Sequence, residues 1–450
     1  GAIVVLSGGI LLSCFLCLML FPLQFIVSTG LSASISILMS ILTSITITPA
    51  LLLIGGKFFA INGLLPCFAW SRFTPILSAA EQVKKEVKSW WFRCGDFITR
   101  MPHAPIIIIL VVLFLSPFPV ALTRFKIVVN DVHFLPSHSA AYAEIYEATS
   151  AWPIGKIYPY YVVVVPKSNV SIQSDSFFNI AHDLAVALGS QTGGVIKYQN
   201  VLSISDLGGN RIKYDESTFL LQFSEFYKYI YSILTNNEKV TSVKMVLYPS
   251  VDPTKDAAIV PAAVLPVLNN FTASSPDFTY LLFGRLAVLD DSVNVVLHYF
   301  PYIALVTSGI ILAVICISFR SILLPLRMLI TISFTLAWSF GSIAIIFCTT
   351  WFYWLDSDIQ EAPDICWISP ILTFTIIAGL GIDYDLFLFN RIVEFRKKGW
   401  ENRAAIIKGI SKTGYVITWA GVIMSLAFAG LAMSSEMNLK QTGVVLMLSV

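Results

Sequence analysis

Apolar residues run through this chain in long unbroken stretches, interrupted by one region of ordinary polarity. Ala2 to Phe21 is a first apolar run, and a short neutral turn at Pro22 to Gln24 leads into a second, Ile26 to Ile54. Each has at least the ~20 residues a helix needs to cross a ~30 Å hydrocarbon core. A third spans Pro105 to Leu122. Four more follow late in the chain, at Tyr299 to Ser318, Leu323 to Thr350, Ile365 to Phe389 and Ile410 to Met433, and a fifth begins at Leu439. The pattern predicts a polytopic α-helical membrane protein.

The polar region, Thr123 to His298, alternates between two periods. YYVVVVP and SVKMVLYP read as strands, while DSFFNIAHDLAVAL and SEFYKYIYSILTNN read as amphipathic helices. Mixed elements of this kind imply an α+β domain. The predicted divisions are two spans in 1–56, a basic segment in 57–104, a span in 105–122, the α+β domain in 123–298, and a helical bundle of four spans plus the start of a fifth in 299–450.

Charge placement predicts the topology. Lys57, Arg72, Lys84, Lys85, Lys88, Arg93 and Arg100 face only Glu81, Glu86 and Asp96 in the first basic segment. Arg391, Arg396, Lys397, Lys398, Arg403, Lys408 and Lys412 form a second, while Asp356, Asp358, Glu361 and Asp364 fill a loop without Lys or Arg. Basic loops are retained in the cytoplasm, so the α+β domain is expected outside. Asn169 and Asn270 head glycosylation sequons that agree with that side. VKKEVKSWWF reads either as an interfacial helix or as a solvated linker with an aromatic anchor.

Composition adds exclusions. The 450 residues are 56% hydrophobic and 12% charged, with a net charge of +2, which argues against nucleic acid as a partner. Seven cysteines lie in or beside apolar runs or in the first basic segment, with none in the polar region. The five histidines, His103, His133, His138, His182 and His298, are scattered, so no metal cluster is legible. Neither a phosphate loop nor a hydrolase or zinc-protease motif is present, and no enzyme activity or cofactor is expected beyond a proton gradient.

One apolar run carries the candidate chemistry. Ile376 to Arg391, IIAGLGIDYDLFLFNR, holds Asp383, Tyr384 and Asp385 at membrane depth. An acid there is costly and marks a functional site by default. At 3.6 residues per turn, Gly379 and Asp383 share a face, Tyr384 lies about 100° round, and Asp385 is nearly opposite Asp383. Gly379 is expected to admit a neighbouring helix closely. Asp383 is therefore the candidate proton-coupling carboxylate with Tyr384 as its hydrogen-bond partner. The alternative is a structural Asp tied to a neighbouring helix, and Asp385 has no assigned role. Arg391 and Glu394 read as a surface pair at the helix end.

The chain also repeats itself. Gly9-Ile-Leu-Leu-Ser13 matches Gly421-Val-Ile-Met-Ser425, and a Thr-Gly pair follows each about twenty residues on, at Thr29-Gly30 and Thr442-Gly443. Parallel repeats of this kind are built into several transporter folds. The chain begins and ends inside apolar runs and reads as a piece of a longer protein, with a partner for the Asp383 helix expected upstream.

These residues resemble the resistance-nodulation-division (RND) superfamily and, within it, the MmpL-like lipid exporters. The resemblance rests on GLGIDYDLFLFNR with Glu394, on AAIIKGISKTGYVITWA at Ala404 to Ala420, on FRSILLPL at Phe319 to Leu326, on TITPALL at Thr46 to Leu52 and on DVHFLPSHS at Asp131 to Ser139. It implies a proton-driven transporter of lipids or other hydrophobic molecules. Such a transporter has twelve spans in a parallel-repeat bundle and two extracytoplasmic porter domains. This chain would supply spans five to the start of twelve and the second porter domain. In such proteins an Asp-Tyr pair on the fourth span faces another on the tenth, and Asp383 and Tyr384 match the second. The implied partners are a lipid and the bilayer, with homo-oligomerisation left open. Two other readings share the architecture: a Patched or sterol-sensing relative, which the absence of cysteine from Thr123 to His298 disfavours, and a non-transporting membrane scaffold or receptor.

Overall fold

The computed structural model describes residues 2–54, 89–125, 127–128, 135–136, 139–167, 171–235, 242–349, 351 and 364–450. The chain divides into two compact units, one of Gly1–Lys126 with Val296–Val450 and one of Ile127–Val295.

The first unit opens with α1 (Ala2–Cys17), which closes in a 3₁₀ turn at Leu18–Leu20, and α2 (Gln24–Ile54). The pair meets at Gly30, where a Cβ would stand 2.8 Å from both the Leu18 side chain and the Phe15 carbonyl oxygen. After α3 (Trp90–Thr99) come α4 (His103–Leu115) and α5 (Pro117–Ala121). The span expected at Pro105 to Leu122 is therefore interrupted at Ser116, because Pro117 and Pro119 each withhold an N–H from the helical ladder.

The second unit is built on a sheet. Its elements in order are α6 (Ala140–Ala151), α7 (Ile154–Ile157), β1 (Tyr160–Pro166), α8 (Asp175–Gln191), β2 (Ile196–Leu202), β3 (Asp206–Leu207), β4 (Asn210–Arg211), α9 (Tyr214–Phe223), α10 (Glu225–Leu234), β5 (Val243–Pro249), α11 (Ile259–Ser274) and β6 (Phe278–Gly284). The strand order is β4-β3-β2-β5-β1-β6 with every pairing antiparallel. The units β1–α8–β2 and β5–α11–β6 thus interleave, each placing one of its strands between the two strands of the other, which is the split βαβ or ferredoxin-like arrangement. Alternation does its work in β1, where Tyr160, Val162 and Val164 are buried. They join Phe177, Leu184 and Leu188 of α8 and Val264 and Leu268 of α11 in one core.

The same core encloses a polar cluster. Asp206 has no solvent exposure, and its Oδ1 accepts from Tyr198 Oη at 2.5 Å and lies 2.8 Å from His182 Nδ1. Its Oδ2 accepts from Ser205 Oγ at 2.6 Å and Ser203 Oγ at 3.4 Å. A buried carboxylate satisfied from four sides ties the β3–β4 hairpin to α8 and β2.

The chain returns to the first unit with α12 (Arg285–Phe319), α13 (Leu323–Phe347), α14 (Ile368–Lys397), α15 (Asn402–Ala432) and α16 (Met437–Ser449). Helix α12 begins fourteen residues before the predicted Tyr299, because Asp290 and Asp291 break the apolar run without breaking the helix. Apolar side chains knit α1, α12, α13 and α14 together through Ile10, Ile311, Ile332 and Ile382, and α13, α14 and α16 through Phe347, Ile377 and Val445. Helix α3 docks on α15, with the Trp91 ring against Gly414 and Asp96 bonded to Arg403 at 2.7 Å.

Six helices among the described residues are long and apolar enough to cross a membrane: Gln24–Ile54, His103–Arg124, Arg285–Phe319, Leu323–Phe347, Ile368–Lys397 and Asn402–Ala432. The predicted first span falls short of that length because its α-helix stops at Cys17. Helix α4 turns Ile108, Ile109, Leu113 and Phe114 outward, each well over half exposed, a surface suited to lipid. The chain is an integral, multi-pass helical membrane protein.

Candidate functional site

Helix α14 is anchored at its start by side chains of α16. The Gln441 amide accepts from Cys366 N at 2.8 Å through Oε1 and donates to the Asp364 carbonyl at 2.7 Å through Nε2, and Ser369 Oγ donates to Asn438 Oδ1 at 3.0 Å. These bonds hold the segment leading into the helix at Asp364 and Cys366 and its first turn at Ser369. The apolar run then continues without a breaker to Asp383. That residue lies fifteen positions into a thirty-residue helix, or about 22 Å along its axis.

Asp383 faces α1. Ser7 and Cys14 of α1 lie beside its carboxyl, and Oδ1 is buried with no hydrogen-bond partner. One turn earlier, Gly379 packs against Leu11 of α1 so closely that a Cβ there would collide with the leucine side chain. An unsatisfied carboxyl oxygen in an apolar bundle costs the folded state free energy. A mobile proton or a further hydrogen-bonding group would relieve that cost.

Tyr384 points elsewhere. Its hydroxyl is also buried without a partner, and the residue lines a cavity of about 580 Å³ shared with Thr418, Gly421 and Ser425 of α15 and Met447 of α16. The expected hydrogen bond between Asp383 and Tyr384 is not present in the structure. Adjacent residues on a helix diverge by about 100°, so the two open onto different neighbours.

Asp385 acquires the partners that the sequence left unnamed. Arg327 Nη2 donates to its Oδ1 at 3.1 Å and Thr331 Oγ1 to its Oδ2 at 3.2 Å, both from α13, while the Arg327 guanidinium lies 4.6 Å from the Phe389 ring centre. The sequence analysis gave no role to Arg327, Thr331, Ser7 or Cys14. Polar residues recurring inside apolar runs were the available signal. At the helix end, Glu394 bonds Arg391 and Lys398, each at 2.7 Å.

The other candidates fall outside this centre. Asn270 is exposed in the last turns of α11 rather than in a loop. Asn169, the DVHFLPSHS motif except for Leu135, Pro136 and Ser139, most of the first basic segment and Asp356, Asp358 and Glu361 lie outside the described residues. Among the described residues no group of three His, Cys, Asp or Glu side chains is placed to hold a metal ion.

A model of the MMPL family matches residues 1–105 and 250–450. The trehalose monomycolate exporter MmpL3 of Mycobacterium tuberculosis is 23% identical over 473 residues, covering 99% of this chain and 45% of the exporter. Membrane protein YdfJ of Bacillus subtilis is 31% identical over 38% of this chain and 23% of that protein. The sulfolipid-1 exporter MmpL8 of M. tuberculosis is 29% identical over 36% of this chain and 14% of the exporter. The chain spans less than half the length of each of these relatives.

Proposed function

Because the chain belongs to the MMPL family, an RND-superfamily group of membrane transporters, we propose that it supplies the second half, together with the end of the first half, of a proton-driven lipid transporter in which Asp383 is the proton-coupling carboxyl. The observation that carries this reading is the Asp383 Oδ1 atom, buried between α14 and α1 with no hydrogen-bond partner. Gaining a proton removes the charge from an apolar interface, and losing it restores a group that needs new partners. Each change alters which packing of α14 against its neighbours is lowest in free energy. Tyr384 contributes a second unsatisfied polar group, a hydroxyl aimed into the cavity between α14, α15 and α16, where a hydrogen-bonding helix from the other half of the transporter would meet it. In this reading the α+β unit is the extracytoplasmic porter domain, and the basic segments lie in the cytoplasm. The names of two relatives make trehalose monomycolate and sulfolipid-1 the first cargoes to try.

The test uses the full-length protein in proteoliposomes with an imposed pH gradient, following cargo and proton movement together. Asp383→Asn is expected to abolish coupled transport at normal insertion levels, and Asp383→Glu to retain part of it. Full coupled transport by Asp383→Asn overturns the reading.

A further inference from the structure

Two residues beyond Asp383, the opposite face of α14 is held in a way that the proposed proton chemistry does not itself require. Asp385 accepts from Arg327 and from Thr331, residues one turn apart on α13, and the same Arg327 stacks over Phe389, one turn beyond Asp385 on α14. The contact therefore uses two successive turns of each helix. A single ion pair leaves a helix free to pivot about it. A two-by-two contact fixes both the height of α14 against α13 and its rotation about its own axis.

We propose that Arg327, Thr331 and Asp385 are positioning residues for Asp383, clamping α14 in the rotation that turns Asp383 towards α1 and Tyr384 towards the cavity. The proposal rests on the reading of Asp383 as the proton site. Its physical basis is the lever arm of a side chain. At a radius of roughly 6 Å from the helix axis, a 30° rotation carries a carboxyl about 3 Å, far outside the few tenths of an ångström over which a hydrogen bond keeps its strength. Asp383 would then lose Ser7, and Gly379 would no longer meet Leu11.

The exposure of the pair points the same way. The side chains of Arg327 and Asp385 are 46% and 23% exposed, so the pair stands at the rim of the helix bundle and is not part of its apolar core. What it supplies is geometry: a planar guanidinium addressing one carboxylate oxygen while its face covers an aromatic ring, and a hydroxyl addressing the other oxygen. Lysine at position 327 retains the charge and loses that fixed geometry. Among the described residues, Cys14 of α1 and Tyr384 of α14 are ionisable side chains in electrostatic contact with Asp383. Both belong to elements whose registration the clamp would set.

The experiment has two arms in the full-length protein. In the first, modification of Asp383 by dicyclohexylcarbodiimide is followed from pH 5 to pH 9 by mass spectrometry of the α14 peptide, which separates Asp383 from Asp385. In the second, Asp383→Cys is cross-linked to the native Cys14 by a short bifunctional maleimide, with Cys17→Ser to prevent a competing product. The clamp predicts that Arg327→Met and Asp385→Asn each reduce the cross-linking yield at least five-fold and displace the carbodiimide pH profile. Arg327→Lys should fall between these variants and the wild type. The exchanged pair Arg327→Asp with Asp385→Arg restores the ion pair but neither the Phe389 stacking nor the Thr331 hydrogen bond, so it should recover both readings only in part, to about the level of Arg327→Lys.

Cross-linking unchanged in Arg327→Met and Asp385→Asn overturns the positioning role. So does a loss that the exchanged pair leaves as complete as in Arg327→Met, since that marks general damage to the bundle. A wild-type Asp383 that shows no pH-dependent modification overturns the proton-site reading instead, while the cross-linking arm still decides the clamp.

Discussion

Asp206 and Asp383 are both carboxyls removed from water, and their surroundings differ in the one respect that separates structure from chemistry. Asp206, in the α+β unit, meets Tyr198, Ser205, Ser203 and His182. Asp383, in the helical unit, keeps Ser7 for company and leaves Oδ1 alone. A buried acid whose acceptors are all served has little to gain from exchanging protons, and it behaves as a tie between β3, α8 and β2. A buried acid with an unserved oxygen is held in place by the fold around it, and a proton changes its free energy directly.

The sharpest way to break the comparison is to remove each acid in turn. Asp383→Asn is expected to lower coupled transport in proteoliposomes by about 100-fold or more, a loss of roughly 2.7 kcal/mol of transition-state stabilisation, with little change in the thermal midpoint. Asp206→Ala should do the reverse. Removing one member of a buried hydrogen-bonded network costs about 2–4 kcal/mol, read as earlier unfolding of the α+β unit by pulse proteolysis of the full chain. If Asp206→Ala proved harmless to stability, the network would be ornamental and the contrast would fail.

Two glycines compare the packing of the Asp383 helix against α1 with that of α15 against α16. A Cβ at Gly443 would stand 2.7 Å from the Leu431 carbonyl carbon. Backbone cannot yield there without parting α15 from α16, so Gly443→Ala should cost about 1–3 kcal/mol as overpacking. At Gly379 the obstacle is the end of the Leu11 side chain, which can rotate, and Gly379→Ala should cost under about 1 kcal/mol. Equal effects in thermal unfolding would remove the distinction between a yielding α1 face and a rigid α15–α16 contact.

The smallest effect is titration at high pH. Burial, then the hydrogen bond to Asp206 and its charge, push the Tyr198 hydroxyl up to about 12 against the pull of Arg211. An ordinary tyrosine titrates near ~10. The folded state therefore holds its proton more tightly than the unfolded chain, so Tyr198 adds stability that is complete below about 10 and disappears as pH rises to about 12. Tyr198→Phe should flatten that part of the stability profile relative to the wild type. An unchanged slope would mean that other tyrosines carry it.

Much of the helical unit was legible because apolar runs of twenty or more residues admit few other conformations in a bilayer. Boundaries were less so. Asp290 and Asp291 hide about the first four turns of α12, and Pro117 divides a run that hydropathy reads as whole. In the α+β unit the alternation of β1 and β5 and the amphipathic faces of α8 and α10 were visible, whereas Pro266 inside α11 obscured a helix that tertiary packing sustains. The polar residues on the Asp383 helix could be read from their cost alone. Their partners could not, because Arg327 is 58 positions from Asp385 and nothing in a linear pattern states which helices are neighbours.

The anchoring of α14 by Gln441 and Asn438 has a mechanical consequence. The helix is a torsion rod fixed near residues 366–369 by α16 and near 385–389 by α13. A turn of 30° at Asp383 taken up towards the first fixture spreads over fourteen residues, about 2° each, well inside the ordinary scatter of helical dihedrals. Taken up towards the second fixture it falls on two residues, about 15° each, at the edge of that scatter. The compliant length of the rod therefore lies before Asp383. Gly379 and Gly381 stand in it, and twist there is met first by Leu11 of α1.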